Sequence, residues 1–339
     1  MIDLRSDTFT QPTPEMRKAM YAAECGDDVW REDPTINHLQ EIAASLVGKE
    51  AALFTASGTM SNLLAILSWC NRGGTVIGGS ESHIFQNEFS GTSSLAGVRL
   101  QSISSDAYGR LDPSSLDNQL TSSTSSPQNS TLIALENTHN RCGGIVLENS
   151  HKDLLVNIAR NHDSPIHIDG ARIFNASVYL DVAPNVLTEG ADSISFCLSK
   201  GLCAPVGSLL CGSTEFVEEA RAWRQMVGGG MRQSGIIAAA GIIALQTMID
   251  RLAEDHQTAA QLSLGLSSLP GIFIDPDRVQ TNIVIFQWLG ASTVEFIDRL
   301  QERGLRVSSL SDNMVRMVTH NGITESHVET ALKIVKKVT

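Results

Sequence analysis

The chain has 339 residues, of which 37 are Asp or Glu and 25 are Lys or Arg, so its formal net charge is −12. A chain of this length exceeds one ordinary hydrophobic core, and we expect a large domain with a smaller partner domain. The acidic balance excludes nucleic acid and membranes as principal partners, because binding to either polyanion needs a basic face. A small molecule is the expected ligand.

The first residues and the cysteines both indicate a cytoplasmic protein. The opening segment MIDLRSDT is charged from its third residue and lacks the apolar stretch of a secretion signal. The six cysteines show no CxxC pair and no metal-ligand spacing with histidine, so we expect reduced thiols and no metal. The most apolar stretch, residues 236–245, is too short to span a bilayer.

Short apolar runs alternate with helical patterns through the first two thirds of the chain. Segments such as MSNLLAILSWC and KDLLVNIARNH carry apolar residues at three- and four-residue spacing, which predicts helices. Alternating strands and helices are typical of a mostly parallel sheet covered on both faces, with its ligand beyond the carboxyl ends of the strands. The predicted strands cover residues 51–55, 74–79, 130–135, 165–169, 192–199 and 207–212.

The pattern changes after a long helix that is predicted from about Arg232 toward Ala260. Short strands (GIFID, TNIVIFQ, LRVSSL and MVRMVTH) and one helix with a glycine cap (STVEFIDRLQERG) predict a small α/β domain. We therefore divide the chain into an N-terminal arm (1–14), a large domain (15–249) and a small domain (250–339). The polar run TSSTSSPQNS at 121–130 predicts a surface loop.

A turn of small residues follows the strand that ends at Thr55. Ser57, Gly58 and Thr59 lie where the next helix begins. Free backbone N–H groups at a helix start, flanked by small residues and hydroxyls, can bind an anion such as phosphate. A turn of this kind is more often only a helix cap, so by itself it leaves both interpretations open.

Three charged side chains lie near the same predicted sheet edge. Asp169 can cap a helix or keep a ring nitrogen protonated, while Arg172 can bind a carboxylate in bidentate fashion or pair with Asp169. Lys200 can extend into water, or it can be the neutral amine that attacks a carbonyl. A phosphate site, an acid for a ring nitrogen and an imine-forming lysine on one edge are together what pyridoxal phosphate (PLP) requires.

Seven ordered motifs make the chain resemble the low-specificity L-threonine aldolases over nearly its whole length. They are DLRSDT, GDDVWREDPT, SGTMSN, ENTHN, HIDGARIFNA, CLSKGLCAPVGS and GGGMRQSGI, and RMVTH follows near the carboxyl terminus. The resemblance implies a PLP-dependent α/β enzyme of fold type I, similar to aspartate aminotransferase, with a mostly parallel large-domain sheet and a smaller C-terminal domain. It also implies a homotetramer of tight dimers, with active sites at the dimer interface.

The resemblance gives cofactor-binding roles to particular residues. Lys200 would form the Schiff base with PLP, and Asp169 would pair with the pyridine nitrogen. The turn Ser57, Gly58 and Thr59 would hold the phosphate. His83 would stack on the ring, although an isolated loop histidine is by itself more often a surface residue.

It also assigns residues to the substrate and to the subunit interface. Ser6, Arg172 and Arg316 would bind the substrate carboxylate, and Arg172 would contact the cofactor as well. Arg232 would approach the phosphate from a neighbouring subunit.

The implied reaction is retro-aldol cleavage of L-threonine, L-allo-threonine and related β-hydroxy-α-amino acids to glycine and an aldehyde. A base takes the hydroxyl proton while the Cα–Cβ bond breaks toward the cofactor. Some family members carry a histidine shortly before ENTHN, whereas residues 121–130 contain none, so His83 is the remaining candidate base. Trp30 also stands where tyrosine is usual, and Cys203 where glycine is common.

Two other functions remain open from the sequence. An amino acid racemase, such as an alanine racemase, can share the lysine, aspartate and phosphate motifs of this scaffold, and it needs no base for a hydroxyl group. A regulatory protein without catalysis is less favoured, because Lys200 and Asp169 are both present.

Overall fold

The computed structural model describes residues 1–123 and 130–339, in which strands and helices alternate as far as residue 212. The strands are β1 (Ile2–Asp3), β2 (Ala51–Thr55), β3 (Thr75–Gly79), β4 (Arg99–Ile103), β5 (Thr131–Glu136), β6 (Ile166–Asp169), β7 (Ser193–Cys197), β8 (Ser208–Gly212), β9 (Ile272–Phe273), β10 (Ile283–Trp288), β11 (Leu305–Arg306), β12 (Ser308–Ser311) and β13 (Met314–Val318). The helices are α1 (Pro14–Ala22), α2 (Pro34–Leu46), α3 (Gly58–Trp69), α4 (His83–Asn87), α5 (Phe89–Gly91), α6 (Pro113–Ser123), α7 (Asn149–Asn161), α8 (Ile173–Leu180), α9 (Pro184–Thr188), α10 (Thr214–Met226), α11 (Gly235–Thr247), α12 (Leu252–Ser267), α13 (Thr293–Glu302) and α14 (Glu325–Lys336).

A seven-stranded sheet with the order β2-β8-β7-β6-β5-β3-β4 forms the large domain. The strand β8 pairs antiparallel with both of its neighbours, and the other pairs are parallel. The expected α/β fold with a mostly parallel sheet is therefore confirmed, as are all six strands predicted for it. The edge strand β4 was not predicted, because its largely exposed residues lack the apolar run of a buried strand.

Helices cover both faces of this sheet. Successive residues of β5 enter different hydrophobic clusters: Leu132 packs with α3 and α10, whereas Ile133 packs with α2, α7 and α11. Because side chains alternate along a strand, these two clusters lie on opposite faces. The strands β3, β7 and β8 are consequently buried along their whole length, which explains their apolar composition.

The single long helix predicted from Arg232 toward Ala260 is wrong, because the chain forms two helices, α11 and α12, with 71° between them. The first packs into the large-domain core and the second into the small-domain core, so the bend lets each bury its own apolar side chains. No glycine or proline marks the break in the sequence. Within the described residues no single helix is long and apolar enough to cross a membrane, and only this bent pair passes that test jointly.

The C-terminal part of the chain has its own sheet and core. Its antiparallel strands lie in the order β12-β13-β10-β9, and α13 is followed by the predicted glycine, Gly304, at φ 87°. The side chains of Ile2 and Leu4 are buried in this core, and β1 pairs in parallel with β11. The chain therefore begins within the small domain, while the boundaries at 14 and 250 remain predictions.

The predicted loop at 121–130 is described only in part. Residues 121–123 end helix α6 and residue 130 precedes β5, while residues 124–129 lie outside the described residues.

We predict that Leu4→Ala lowers the free energy of unfolding by about 2–5 kcal/mol, because Leu4 is fully buried and its replacement leaves a cavity in the small-domain core. Urea denaturation measures this change. The matched control is Leu154→Ala, since Leu154 is 54% exposed and its loss should change stability by less than about 0.5 kcal/mol. Equal effects of the two substitutions would show that residues 1–4 do not stabilise the small domain.

Candidate active site

A cavity of about 230 Å³ opens at the carboxyl ends of β5 and β6, where the ligand edge is predicted. Glu136 and Asp169 are the last residues of these strands, and Lys200 follows β7. Parallel strands end at one edge of a sheet, and this brings the three side chains together. The cavity is lined by Ser6, Thr8, His83, Asn87, Glu136, Thr138, Asn140, Asp169, Ala171, Arg172, Lys200 and Arg316.

Asp169 is buried, and both of its carboxylate oxygens are held in place. Oδ2 accepts a hydrogen bond from Asn62 Nδ2 at 2.9 Å, and Oδ1 accepts one from the backbone N–H of Ala171 at 3.2 Å. A carboxylate oxygen can accept more than one hydrogen bond. Asp169 is therefore oriented by the protein, and it can still accept a hydrogen bond from a donor in the cavity.

A neutral polar network behind Asp169 fixes the direction of Asn62. The amide oxygen of Asn62 accepts from Ser195 Oγ at 2.8 Å and lies 3.1 Å from His167 Nε2. Burial lowers the pKa of His167 to about 4, so this imidazole is uncharged at neutral pH. It donates from Nε2 and accepts at Nδ1 from Ser193 Oγ, 2.9 Å away. The amide nitrogen of Asn62 is thereby directed at Asp169.

Lys200 combines a fixed backbone with a free amine. Its carbonyl accepts from Thr10 Oγ1 at 2.8 Å and from the N–H of Cys203 at 2.9 Å. Across residues 1–123 and 130–339, no side chain forms a hydrogen bond or ion pair with the Lys200 amine. The amine can therefore react with a carbonyl without first breaking a hydrogen bond or an ion pair to a side chain.

Cys203 closes the turn after Lys200 with a left-handed backbone, at φ 67°. A residue with a Cβ atom pays about 1–2 kcal/mol for this conformation, which glycine adopts freely. This explains the glycine that is common at the position in the family that the sequence resembles. The side chain of Cys203 is fully buried and accepts a hydrogen bond from Asn321 Nδ2 at 3.4 Å.

His83 begins α4 and is anchored at two atoms. Its backbone N–H donates to Glu136 Oε2 at 2.6 Å, and its Nδ1 lies 2.8 Å from Glu88 Oε1. The hydrogen bond to Glu88 raises the pKa of His83, against the opposing effect of burial. Burial, with the nearby negative charge of Asp169, in turn raises the pKa of Glu88.

Arg172 pairs with Asp7 and not with Asp169, the ion pair considered from the sequence. Its Nε and Nη2 donate to the two carboxylate oxygens of Asp7 at 2.7 and 2.8 Å. Burial alone would raise the pKa of Asp7, but the Arg172 guanidinium lowers it well below its usual range, so the pair is charged. The remaining Nη1 of Arg172 lies 3.3 Å from Asn140 Oδ1.

Arg316, on β13, has no carboxylate partner within 4 Å in the described chain. It donates to Asn140 Oδ1 at 3.0 Å and to the carbonyl of Arg5 at 3.3 Å, which are both neutral acceptors. Burial and the nearby charge of Arg172 lower the pKa of Arg316, although the charge of Asp7 acts in the opposite direction. Ser6 lies beside it in the cavity lining and caps a short helical turn by accepting from Thr8 N.

The predicted phosphate-binding residues are not among those that line this cavity. Ser57 caps α3 by accepting from Met60 N at 3.2 Å, so the helix-cap interpretation applies to it, while the first N–H groups of α3 have no intrahelical partner. A Cβ atom on Gly58 would lie 2.9 Å from Cys197 Sγ, which favours glycine there. Arg232 is exposed and pairs with Asp27 at 3.1 Å. Their roles toward a phosphate stay predictions.

These side chains fit the PLP that the sequence led us to expect. Among the described residues the amine of Lys200 has no side-chain partner, and the carboxylate of Asp169 is oriented and keeps acceptor capacity. A helix start with a closely packed glycine follows β2 at the same sheet edge. An acid, an amine and an anion site are the groups that hold this cofactor.

Several residues that line or support the cavity were not assigned a role from the sequence. Two of them, Asp7 and Asn62, have partners more than a hundred residues away, so the sequence does not reveal those pairs. The whole set is Asp7, Asn62, Glu88, Glu136 and Asn140.

Comparisons with known proteins identify the family of the chain. The family model described as Beta-eliminating lyase matches residues 3–288. The chain is 41% identical to low-specificity L-threonine aldolase 1 of Arabidopsis thaliana, over 98% of this chain and 94% of that protein. It is 40% identical to the low specificity L-threonine aldolase of Escherichia coli strain K12, over 97% of this chain and 96% of that protein.

Solved structures share the fold. The threonine aldolase of Leishmania major superposes with a TM-score of 0.84 at 18% identity, covering 100% of both chains. A structure of SPT with PLP superposes with a TM-score of 0.78 at 15% identity, covering 99% of this chain and 87% of that chain. With its family model, its relatives and its fold in agreement, the chain belongs to the beta-eliminating lyase family and, within it, to the low-specificity L-threonine aldolases.

Proposed function

We propose that this protein is a PLP-dependent lyase that cleaves L-threonine, L-allo-threonine and related β-hydroxy-α-amino acids to glycine and an aldehyde. The observation that carries the proposal is one cavity that holds an amine without a partner, Lys200, an oriented acid, Asp169, and an unpaired cation, Arg316. The relatives reported above are named as aldolases, which favours carbon–carbon cleavage over the racemase alternative.

PLP, when bound, withdraws electrons from the Cα of the amino acid. Lys200 would hold it covalently and Asp169 would keep its ring nitrogen protonated, because a carboxylate beside the nitrogen favours the cationic form. The residues proposed for the ring and phosphate are His83, Ser57, Gly58, Thr59 and Arg172, with Arg232 of a neighbouring subunit.

Arg316 would bind the substrate carboxylate, with Ser6 as a second donor. A guanidinium can hold a carboxylate through two parallel hydrogen bonds, which fixes rotation about the bond between the amino nitrogen and Cα of the substrate. That rotation decides which bond at Cα is aligned for cleavage, and so which reaction occurs. Arg172 contributes less directly, since two of its nitrogens already bind Asp7.

His83 would receive the proton of the substrate β-hydroxyl. It lines the cavity, and its Nε2 has no hydrogen-bond partner in the described part of the chain. Loss of the hydroxyl proton lets the Cβ oxygen become the carbonyl of the departing aldehyde.

We further propose that the chain assembles as a homotetramer of tight dimers in the cytoplasm, with active sites at the dimer interface. Exposed apolar side chains support an interface: Trp30 is 73% exposed and Met226 is 72% exposed. Both lie in segments close to Arg232, whose carbonyl accepts from Asp28 N at 3.1 Å. All six cysteines are free thiols, which supports a reducing compartment.

We predict that the purified protein releases an aldehyde from L-threonine, L-allo-threonine and L-phenylserine, because each carries a hydroxyl at Cβ. L-alanine, which lacks it, should yield no aldehyde. Aldehyde release is followed by a coupled dehydrogenase assay, and chiral chromatography follows the amino acids. Formation of D-alanine without any aldehyde would instead identify a racemase.

Lys200→Ala should reduce aldehyde release by at least about a hundredfold, because among the described residues no other lysine lines the cavity. Mass spectrometry after borohydride reduction should find PLP attached to the wild type and none on the variant. The control is Lys333→Ala, whose side chain is 74% exposed. Cofactor still trapped on the alanine variant would refute the assignment of Lys200.

Arg316→Lys should lower kcat/KM by roughly ten- to a hundredfold, mainly through a higher KM, because lysine cannot form two parallel bonds to a carboxylate. Steady-state kinetics with L-threonine measures the change, and cofactor affinity should stay the same. Arg303→Lys is the control, since Arg303 is exposed. An unchanged KM for the Arg316 variant would place the substrate carboxylate elsewhere.

A further inference from the structure

Glu88 is a buried carboxylate with an incomplete set of partners. Its side chain is 3% exposed, whereas the side chain of its partner His83 is 33% exposed. Oε1 lies 2.8 Å from His83 Nδ1 and 3.2 Å from Asn62 Nδ2. Oε2 has no hydrogen-bond partner in the described chain. A buried carboxylate is costly to keep in this state, so its position needs an explanation beyond packing.

We propose that Glu88 is a positioning residue for His83, which it orients so that Nε2 faces the cavity as the acceptor for the substrate β-hydroxyl proton. The proposal rests on the proposed aldolase function. It concerns the step for which the sequence leaves His83 as the only candidate, since the family's second histidine has no counterpart at residues 121–130.

The tautomer of His83 follows from its contacts. A carboxylate only accepts hydrogen bonds, so Nδ1 of His83 must carry the hydrogen that points at Glu88. In the neutral ring Nε2 is then the unprotonated nitrogen, and it is also the ring nitrogen without a protein partner. A base held by a carboxylate through its other nitrogen is the arrangement by which proteins direct a histidine at a hydroxyl group.

The charged groups around His83 determine the pH range in which it can act as a base. Glu88 raises the pKa of His83, Asp169 adds to this effect, and Lys200 opposes it; Glu136 meets the backbone N–H of His83. The ring must lose its proton before Nε2 can accept another. The activity should therefore fall as the pH drops through the raised pKa of the His83–Glu88 pair, which titrates as a unit.

Asn62 bridges the carboxylates of Asp169 and Glu88. Its amide nitrogen donates to Asp169 Oδ2 at 2.9 Å and to Glu88 Oε1 at 3.2 Å. The amide of Asn62 thus stabilises both Asp169, the acid proposed for the cofactor, and Glu88, the acid that contacts the proposed base His83. This shared donor partly offsets the repulsion between two carboxylates whose oxygens lie within 4.8 Å of each other.

The test compares Glu88→Gln with the wild-type holoenzyme. Glutamine keeps the size but removes the charge, so the pKa of His83 should fall, as measured by NMR titration of its ring protons with His83→Phe to assign them. The acidic limb of the pH profile of kcat/KM should move to lower pH, and kcat/KM above that limb should drop by about tenfold or more. On the His83→Phe background, Glu88→Gln should change kcat/KM little further.

Glu41→Gln is the matched control, because Glu41 is an exposed glutamate 3.8 Å from the exposed His38. It should leave both the NMR titration of His83 and the pH profile unchanged. If Glu88→Gln also leaves them unchanged, the proposal is wrong. Should the glutamine variant not fold, Glu88→Asp serves the same comparison, because its shorter side chain withdraws from Nδ1 and the same fall in the pKa of His83 is expected.

Different results would contradict the aldolase function and the role of Glu88. If the wild type releases no aldehyde, the aldolase function is wrong, and the NMR titration still shows whether Glu88 controls His83. If aldehyde is released normally and the pKa of His83 does not respond to either variant, only the role of Glu88 is overturned.

Discussion

The buried ion pair of Asp7 with Arg172 is the constraint on which the cavity depends. Asp7 is fully buried and also accepts from Asn282 of the small domain at 3.2 Å, so it joins three parts of the chain at one point. Desolvating two charges is expensive, and removing one partner of such a pair costs about 3–5 kcal/mol. The pair is thus a weak source of net stability, but it fixes Arg172 against the segment that carries Ser6.

Charges of opposite sign lie on the two sides of the cavity. The strand β13 brings the cation of Arg316, and the large sheet brings the carboxylate of Asp169 with the amine of Lys200. The neutral His167 and Asn62 hold Asp169 in place without adding charge. In the proposed function the cation meets the substrate carboxylate, while the acid and the amine hold the cofactor.

The sequence predicted the elements that are buried and missed those whose identity depends on distant partners. Six of the seven strands of the large sheet were found because burial on both faces demands apolar runs. Asp169 ends β6 as predicted, while Lys200 lies three residues beyond the end of β7. The exposed β4 and the bend between α11 and α12 carry no such local signal. The partner of Arg172 lies 165 residues away along the chain, so sequence spacing favoured a neighbouring aspartate over Asp7.

Cys203 restrains the backbone next to Lys200. With a side chain at a left-handed position, the turn after Lys200 has fewer backbone alternatives than a glycine turn would have. Its thiol is also held by Asn321, which follows β13 in the small domain. The sulfur thus gives the turn beside Lys200 a direct hydrogen bond to the segment after β13, a contact between the two sheets' connecting loops that a glycine could not provide.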